Sequence, residues 1–433
     1  MPHQTSPNSA IPEPALRSLA EFPFVRALFE RRSRRFATGA TLPDGPLAFT
    51  SPNPPQPLSE IEELLVLAAV TGNTGWNYGI MRHQHYAPHL SNYAGAAGGR
   101  TFPSAAGFHT AEIFFTNDRG TFYCPTRDSG ALVDPRASTE EVVEAIRSRI
   151  VTLSDERMRI PAEEPYMEGH NTWIANCPGS TLYIPVGDAA QHNLLNLCFF
   201  VQNGYCIFDD ISKKPIEGME DFVDLVDVAN PVPLSFLELY TITELTAELS
   251  TSAFAGALML QAMGLGGWMY DGIDKFTVLG ASRNPDVPGL GFRYDTHPDW
   301  SLPNATGLEG IFEAFCPPHH PTMRAAVEAL VERKFGSGGP YNESTPGPWK
   351  ESPRVRSSAA FHDERFVECV ALQAQHIHDT FGKFPGTVPS VWCLMFLQAQ
   401  HLELEFYDTH FGPGAYLDTH AEHMSRWHPG TGA

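Results

Sequence analysis

The chain contains no Cys-x-x-Cys pair, and its seven cysteines (Cys124, Cys177, Cys198, Cys206, Cys316, Cys369 and Cys393) are scattered over 433 residues. An odd number at irregular spacing argues against a disulfide framework and for a reducing compartment. Basic side chains are scarce, with 29 Lys and Arg against 50 Asp and Glu and a formal net charge of −21. Such a surface makes nucleic acid and anionic membranes poor partners. No apolar run reaches the roughly 18 residues of a membrane-spanning helix. Met1 to Pro14 has neither a basic n-region nor an apolar h-region, so no secretory signal is read there and a cytoplasmic protein is expected. No HExxH, GxSxG or P-loop occurs. No catalytic residue is therefore assigned from a motif.

What is present describes a globular chain with a substantial core: 42% of residues are hydrophobic and 18% charged. Residues 1–20 are polar and proline-rich and read as a mobile tail. Residues 21–36 read as an amphipathic helix, with Phe22, Val25, Leu28 and Phe29 on one side. A helix is expected at 59–70, started by a capping box of Ser59 and Glu62. Residues 71–100 are an irregular connection rich in Gly, Asn, His and Tyr. Ala111–Thr116 and Gly120–Cys124 form a hairpin across Asn117-Asp118-Arg119. Helices follow at 138–151 and 188–203, with a strand at 181–186 between them. The strongest helix runs over 242–263. Its stretch Ala253–Leu260 is apolar nearly all round, which suits burial or a subunit interface, and it stops at Gly264-Leu265-Gly266-Gly267. Further helices are predicted at 321–334, 363–382 and 390–411. The last two share an echo, Leu372-Gln373-Ala374-Gln375-His376 and Leu397-Gln398-Ala399-Gln400-His401, and read as an antiparallel pair.

Three groups of residues bear on chemistry. Five arginines (Arg26, Arg31, Arg32, Arg34 and Arg35) fall within ten positions of an acidic chain. Guanidinium forks match phosphate oxygens two at a time, and Ser33 adds a hydroxyl. The bland alternative is a solvated helix end paired with carboxylates. Arg100-Thr101-Phe102-Pro103-Ser104-Ala105-Ala106-Gly107 offers small residues that let backbone approach a flat ligand. On its own it is a loop entering a strand. Gly264–Gly267 closes a helix and is not a dinucleotide fingerprint. Alone it is a C-cap.

In this order and spacing, over roughly residues 22–300, the three groups resemble the nitroreductase family of flavin oxidoreductases. Arg31–Phe36 is similar to the family's N-terminal Arg-x-Ser-x-Arg/Lys element. The segment from Arg100 to Cys124 is closest to the azoline-oxidising dehydrogenases, and residues 242–267 resemble the family's dimer-interface helix and Gly-Leu-Gly turn. The resemblance implies an α+β sandwich with a central sheet flanked by helices, FMN at a homodimer interface, and hydride transfer through flavin N5 to or from a small organic substrate, with NAD(P)H as the implied reductant. It implies Arg31, Arg32, Ser33 and Arg35 for the phosphate and ribityl chain, with Arg283 or Arg293 joining them. Pro103, Ser104 and Ala105 would line the ring, with Leu265, Gly266 and Gly267 close by. Two departures stand out. Gly107 occupies a position where many nitroreductases have Asn, and the Lys-Tyr pair of azoline oxidation has no match. The domain division expected is 1–20 tail, 21–300 FMN-binding domain and 301–433 helical extension.

Residues 376–433 also carry seven histidines: His376, His378, His401, His410, His420, His423 and His428. His376 with Asp379 and His401 with Glu405 have helical i,i+3 or i,i+4 spacing. They are read as hydrogen-bonding groups on a polar helix seam, and no metal ligand is assigned. Two rival functions remain open from sequence: a flavin-free dimeric binding module, and a metal-dependent enzyme built on these histidines.

Overall fold

A computed structural model describes residues 11–72, 75–76, 98–104, 108–127 and 137–429. Residues 1–10, most of the 71–100 connection, and Ala105, Ala106 and Gly107 lie outside the described residues.

The tail and the first predicted helix resolve into two helices, α1 (Glu13–Glu21) and α2 (Phe24–Glu30). Proline explains both differences. Pro14 lies in the first turn of α1, where no backbone N–H is needed, so it starts a helix instead of preventing one. Pro23 cannot continue a helix and becomes the N-cap of α2. Helix α3 (Glu60–Thr71) begins at the predicted capping box. Ser59 accepts from the Glu62 N–H, and the Glu62 carboxylate receives the Ser59 N–H.

The centre is a seven-stranded antiparallel sheet. Its strands are β1 (Ala111–Asn117), β2 (Gly120–Cys124), β3 (Val151–Ser154), β4 (Thr181–Asp188), β5 (Gly266–Tyr270), β6 (Val391–Cys393) and β7 (Phe396–Gln400). The order is β3-β2-β1-β4-β7-β5, with β6 also paired to β4. Alternate side chains of these strands enter two cores. Phe114, Leu182, Ile184, Trp268 and Phe396 face one. Ile113, Phe115, Tyr183, Leu397 and Ala399 face the other. Helix α4 (Thr139–Arg147) lies beside α3. Helices α5 (Ala189–Gln202) and α6 (Leu234–Met263) pack together, and α6 also contacts α3 and β4. Helices α7 (Met323–Phe335) and α8 (Glu364–Phe381) pack on each other, α8 also on α5. An antiparallel sheet covered by helices on both faces is an α+β fold, as expected. A separate three-stranded sheet (Arg293–Asp295, Asn304–Leu308, Phe312–Glu313) precedes α7. No helix among the described residues is long and apolar enough to cross a membrane.

The 301–433 segment is not the all-helical extension expected. Residues 390–411 are not one helix: β6 and β7 come first, then α9 (Leu404–His410). Strand β7 sits inside the central sheet between β4 and β5, with Leu397 opposite Tyr183 on one side and Met269 on the other. The two copies of Leu-Gln-Ala-Gln-His thus take different conformations, one helical in α8 and one extended in β7. Pairing on both edges overrides the helical pattern of the second copy. Two short helices, α10 (Asp418–Ala421) and α11 (His423–Trp427), end the described chain.

Candidate functional site

The N-terminal arginine segment and the Gly turn, over 200 positions apart, meet in space. The Gly267 N–H donates to the Arg34 carbonyl at 2.8 Å, and the two residues form an antiparallel bridge. Within the segment the arginines divide by role. Arg34 is 3% exposed. Its Nε donates to the Ala415 carbonyl and its Nη1 to Gln261 Oε1, both at 2.8 Å. Burial lowers its pKa from the ordinary arginine value, but those acceptors hold the cation in place. Arg31 and Arg35 place their guanidinium groups over aromatic rings, Arg31 over Phe254 at 5.8 Å and Arg35 over Trp268 at 5.1 Å. Arg32 and Ser33 are exposed, with Arg32 Nη1 donating to the Phe29 and Arg31 carbonyls. Arg26 pairs with Glu30 and with Asp418. The segment therefore offers a partly exposed group of cations anchored by one buried arginine.

The Gly turn is filled by its own chain. Gly264 is the left-handed cap of α6, φ 80°, with its N–H donating to the Leu260 carbonyl. A Cβ on Gly266 would lie 2.2 Å from the Leu402 side chain, and one on Gly267 would lie 2.0 Å from the Gln398 carbonyl. Leu265 is fully buried. These small residues are accounted for by helix capping and close packing of β5 on β7 and the arginine segment.

The Pro103–Ser104 segment lies elsewhere on α6. Ser104 stands beside Glu248, which is buried and whose Oε1 accepts from the Thr110 and Ala111 N–H groups at 3.0 and 2.9 Å. His109 Nδ1 is 3.8 Å from the same oxygen. Burial pushes the Glu248 pKa up, but His109 and Ser104 outweigh it and bring it to about 2. One helical turn away, His192 Nε2 and Asn196 Nδ2 meet Glu244 Oε2 at 2.9 and 3.0 Å. Arg100 Nη2 donates to the Thr126 carbonyl, while its buried Nε and Nη1 have no partner among the described residues. Burial brings its pKa down to about 10. Ser104 and Arg31 mark different faces of α6: Glu248 is buried and Phe254 exposed. Six residues separate those two, about 9 Å along the axis at 1.5 Å per residue.

Arg283 and Arg293 are both exposed, the former at φ 61° and the latter 3.8 Å from Asp295. No described contact links either to the arginine segment.

The seven histidines separate into two kinds. His376 Nε2 bonds Asp209 Oδ2 at 3.0 Å, His378 meets Asp379, and His410 packs on Phe406 and Phe49. His420 Nδ1 accepts from the Leu417 N–H, and burial with Arg34 nearby drives its pKa to about 3. The remaining three, His401, His423 and His428, converge on Glu62. Their Nε2 atoms lie 3.3, 2.8 and 3.0 Å from Glu62 Oε1. His401 is thus partnered by a residue 339 positions away and not by Glu405, and His376 has no part in the group. Glu62 carried only a capping signal in the sequence, because its second oxygen is the one that caps the helix.

No family model matches the chain, and neither does any curated protein. One solved structure found by comparison is a protein provisionally described as a nitroreductase, from Ralstonia eutropha JMP134. It is 12% identical, spans 64% of this chain and 75% of its own, and superposes with a TM-score of 0.26.

Proposed function

We propose that this chain is a flavin-dependent oxidoreductase of nitroreductase-like type, with FMN held at the interface of a homodimer. The observation that supports the reading is the meeting of the Arg31–Arg35 segment with the end of α6, where Arg31, Arg32, Ser33 and Arg35 all remain at least partly open to solvent. Arg31, Arg32, Ser33 and Arg35 would hold the phosphate by charge-assisted hydrogen bonds. Arg34 has a separate duty: spent on Ala415 and Gln261, it fixes the backbone from which the others project.

The fit to FMN is partial within one chain. Leu265, Gly266 and Gly267 face their own chain, so they do not supply a ring surface. Pro103 is exposed and Ser104 half-buried on another face of α6, beside a polar group rich in unspent donors. A second copy gives these residues a common site. Helix α6 presents an outward stripe of Phe236, Leu239, Thr243, Ala247 and Phe254, all exposed. Helix α2 adds Phe24, Val25, Leu28 and Phe29, exposed at 67%, 63%, 43% and 75%. A large apolar face of this kind suits association of copies. FMN, when bound, supplies hydride transfer at its N5. The chain's part is to orient the cofactor, and to keep Glu248 ionised and His109 beside it in a water-poor pocket. The substrate is a small organic molecule, with NAD(P)H as the electron donor.

Titration of the flavin-stripped protein with FMN tests this. Saturable binding that weakens in Arg31→Ala and Arg35→Ala supports the assignment. Equal affinity in wild type and both variants removes the phosphate site.

A further inference from the structure

We propose that Glu62, His401, His423 and His428 form a binding site for one divalent transition-metal ion, zinc by preference, that ties the C-terminal segment to the start of α3. The four ligand atoms, three imidazole nitrogens and one carboxylate oxygen, all lie within 4.8 Å of one another. The three N···O separations, 2.8 to 3.3 Å, are close to the roughly 3.3 Å edge of a tetrahedron with metal–nitrogen bonds of about 2.0–2.1 Å.

Hydrogen bonding alone does not explain this arrangement. His423 Nδ1 lies 2.8 Å from the Met263 carbonyl, and His401 Nδ1 lies 3.2 Å from the Gln56 carbonyl. A carbonyl only accepts, so each Nδ1 carries the proton, and in the neutral ring Nε2 is left as a lone pair. Both Nε2 atoms then lie close to Glu62 Oε1, another acceptor, at 3.3 and 2.8 Å. The His423 Nε2 approach, although 2.8 Å long, lacks hydrogen-bond geometry, and the atom is buried without a partner. Three charged imidazoles around one oxygen would cure the acceptor clash but would crowd like charges in a buried site. A divalent cation gives the Nε2 lone pairs of His401 and His423 and the Glu62 carboxylate a common partner, and His428 Nε2, 3.0 Å from Glu62 Oε1, completes the donor set.

The surroundings resemble the outer shell of a metal site. Backbone carbonyls orient two imidazoles from behind. Glu62 Oε2 is held by the Ser59 N–H at 2.6 Å and the Ser59 hydroxyl at 2.7 Å, which leaves Oε1 turned to the histidines. The donor set selects the ion class. Calcium and magnesium take oxygen ligands, whereas three imidazoles with one carboxylate suit zinc and its neighbours. Four protein donors complete a tetrahedron, so the site is a tie and not a reaction centre. Its position gives the tie a purpose. His423 is bonded to the last residue of α6, and the segment it fastens supplies Ala415, the acceptor of Arg34. Only His428 is partly open to solvent, which gives an ion a way in.

The test uses the full chain without a histidine tag. Elemental analysis of the purified protein is expected to give about one zinc per chain. Chelator-stripped protein should bind Zn²⁺ again with a rise in melting temperature, and Co²⁺ should give the intense visible band of a tetrahedral ion. His428→Ala sits at the rim and should fold. It is expected to lose zinc affinity by more than the roughly 10–100-fold that removal of an outer-shell partner costs. Wild-type protein that arrives without metal and takes up neither ion overturns the proposal, as does undiminished zinc binding in both His428→Ala and His401→Ala. Metal content is read independently of flavin, so failure of the flavin reading leaves this result intact.

Discussion

Two arginines three positions apart should fail in different ways when removed. Arg34 is buried, and its Nε and Nη1 each donate at 2.8 Å to an acceptor, the Ala415 carbonyl and Gln261 Oε1. A third approach, Nη2 to the Glu30 carbonyl at 3.4 Å, adds little. Arg34→Met keeps much of the volume but strands both acceptors in a buried site. Each unsatisfied group costs about 1–3 kcal/mol, so the variant should lose roughly 2–6 kcal/mol of stability. For a chain of this size that lowers the thermal midpoint by about 2–7 °C. Arg31→Ala strands no such acceptor, and its melting should stay close to wild type. Its loss should appear instead as FMN binding weakened by about 1.5–3 kcal/mol, or roughly 10- to 150-fold. Thermal melts and FMN titration of the same two variants decide the matter. An unchanged midpoint in Arg34→Met, or equal FMN affinity in Arg31→Ala, would refute the division of labour.

Other perturbations follow from the same packing. Gly264→Ala forces a left-handed alanine and sets its Cβ 2.0 Å from the Thr419 carbonyl. It should cost more than the about 1–2 kcal/mol of the backbone alone, and denaturation that shows no loss would remove the capping role. Burial raises the Glu238 pKa from 4.5 to about 7, against the opposing pull of the Gly386 and Thr387 N–H groups. The folded carboxyl is therefore the harder to ionise. Its penalty is absent below about pH 4.5, grows through neutrality and is complete above pH 7, about 3 kcal/mol at most. Glu238→Gln should be more stable than wild type at pH 8, with the advantage gone by pH 5. Melts showing the same difference at both pH values would contradict this. Finally, charges on the outward stripe of α6 (Leu239→Asp with Phe254→Asp) should turn a dimer into a monomer by sedimentation. A wild type that is monomeric at every concentration defeats the interface.

Local signals in the sequence proved dependable where they had a local cause. The capping box at Ser59, the hairpin at Asn117–Gly120 and the glycine stop after α6 depend on neighbouring residues, and all three appear. The failures lie where distant parts decide. Residues 396–400 carry a pattern that α8 realises as a helix, yet β4 and β5 claim them on both edges as a strand. Helix α6 starts eight residues before the predicted Ile242, at Leu234, because Pro233 serves as its N-cap. At the site, the arginine cluster was visible, but the split between buried Arg34 and its half-exposed neighbours was not. That split depends on Ala415 and Gln261. The meeting of three histidines with Glu62 spans over 300 positions, and no spacing rule reaches so far.

Arg31, Arg32, Ser33 and Arg35 are proposed to hold the phosphate of a flavin. The spectrum and mass of the small molecule released from freshly purified, untagged protein test it most directly. The protein should be yellow and release FMN on denaturation. A colourless protein that stays colourless after incubation with excess FMN would contradict it.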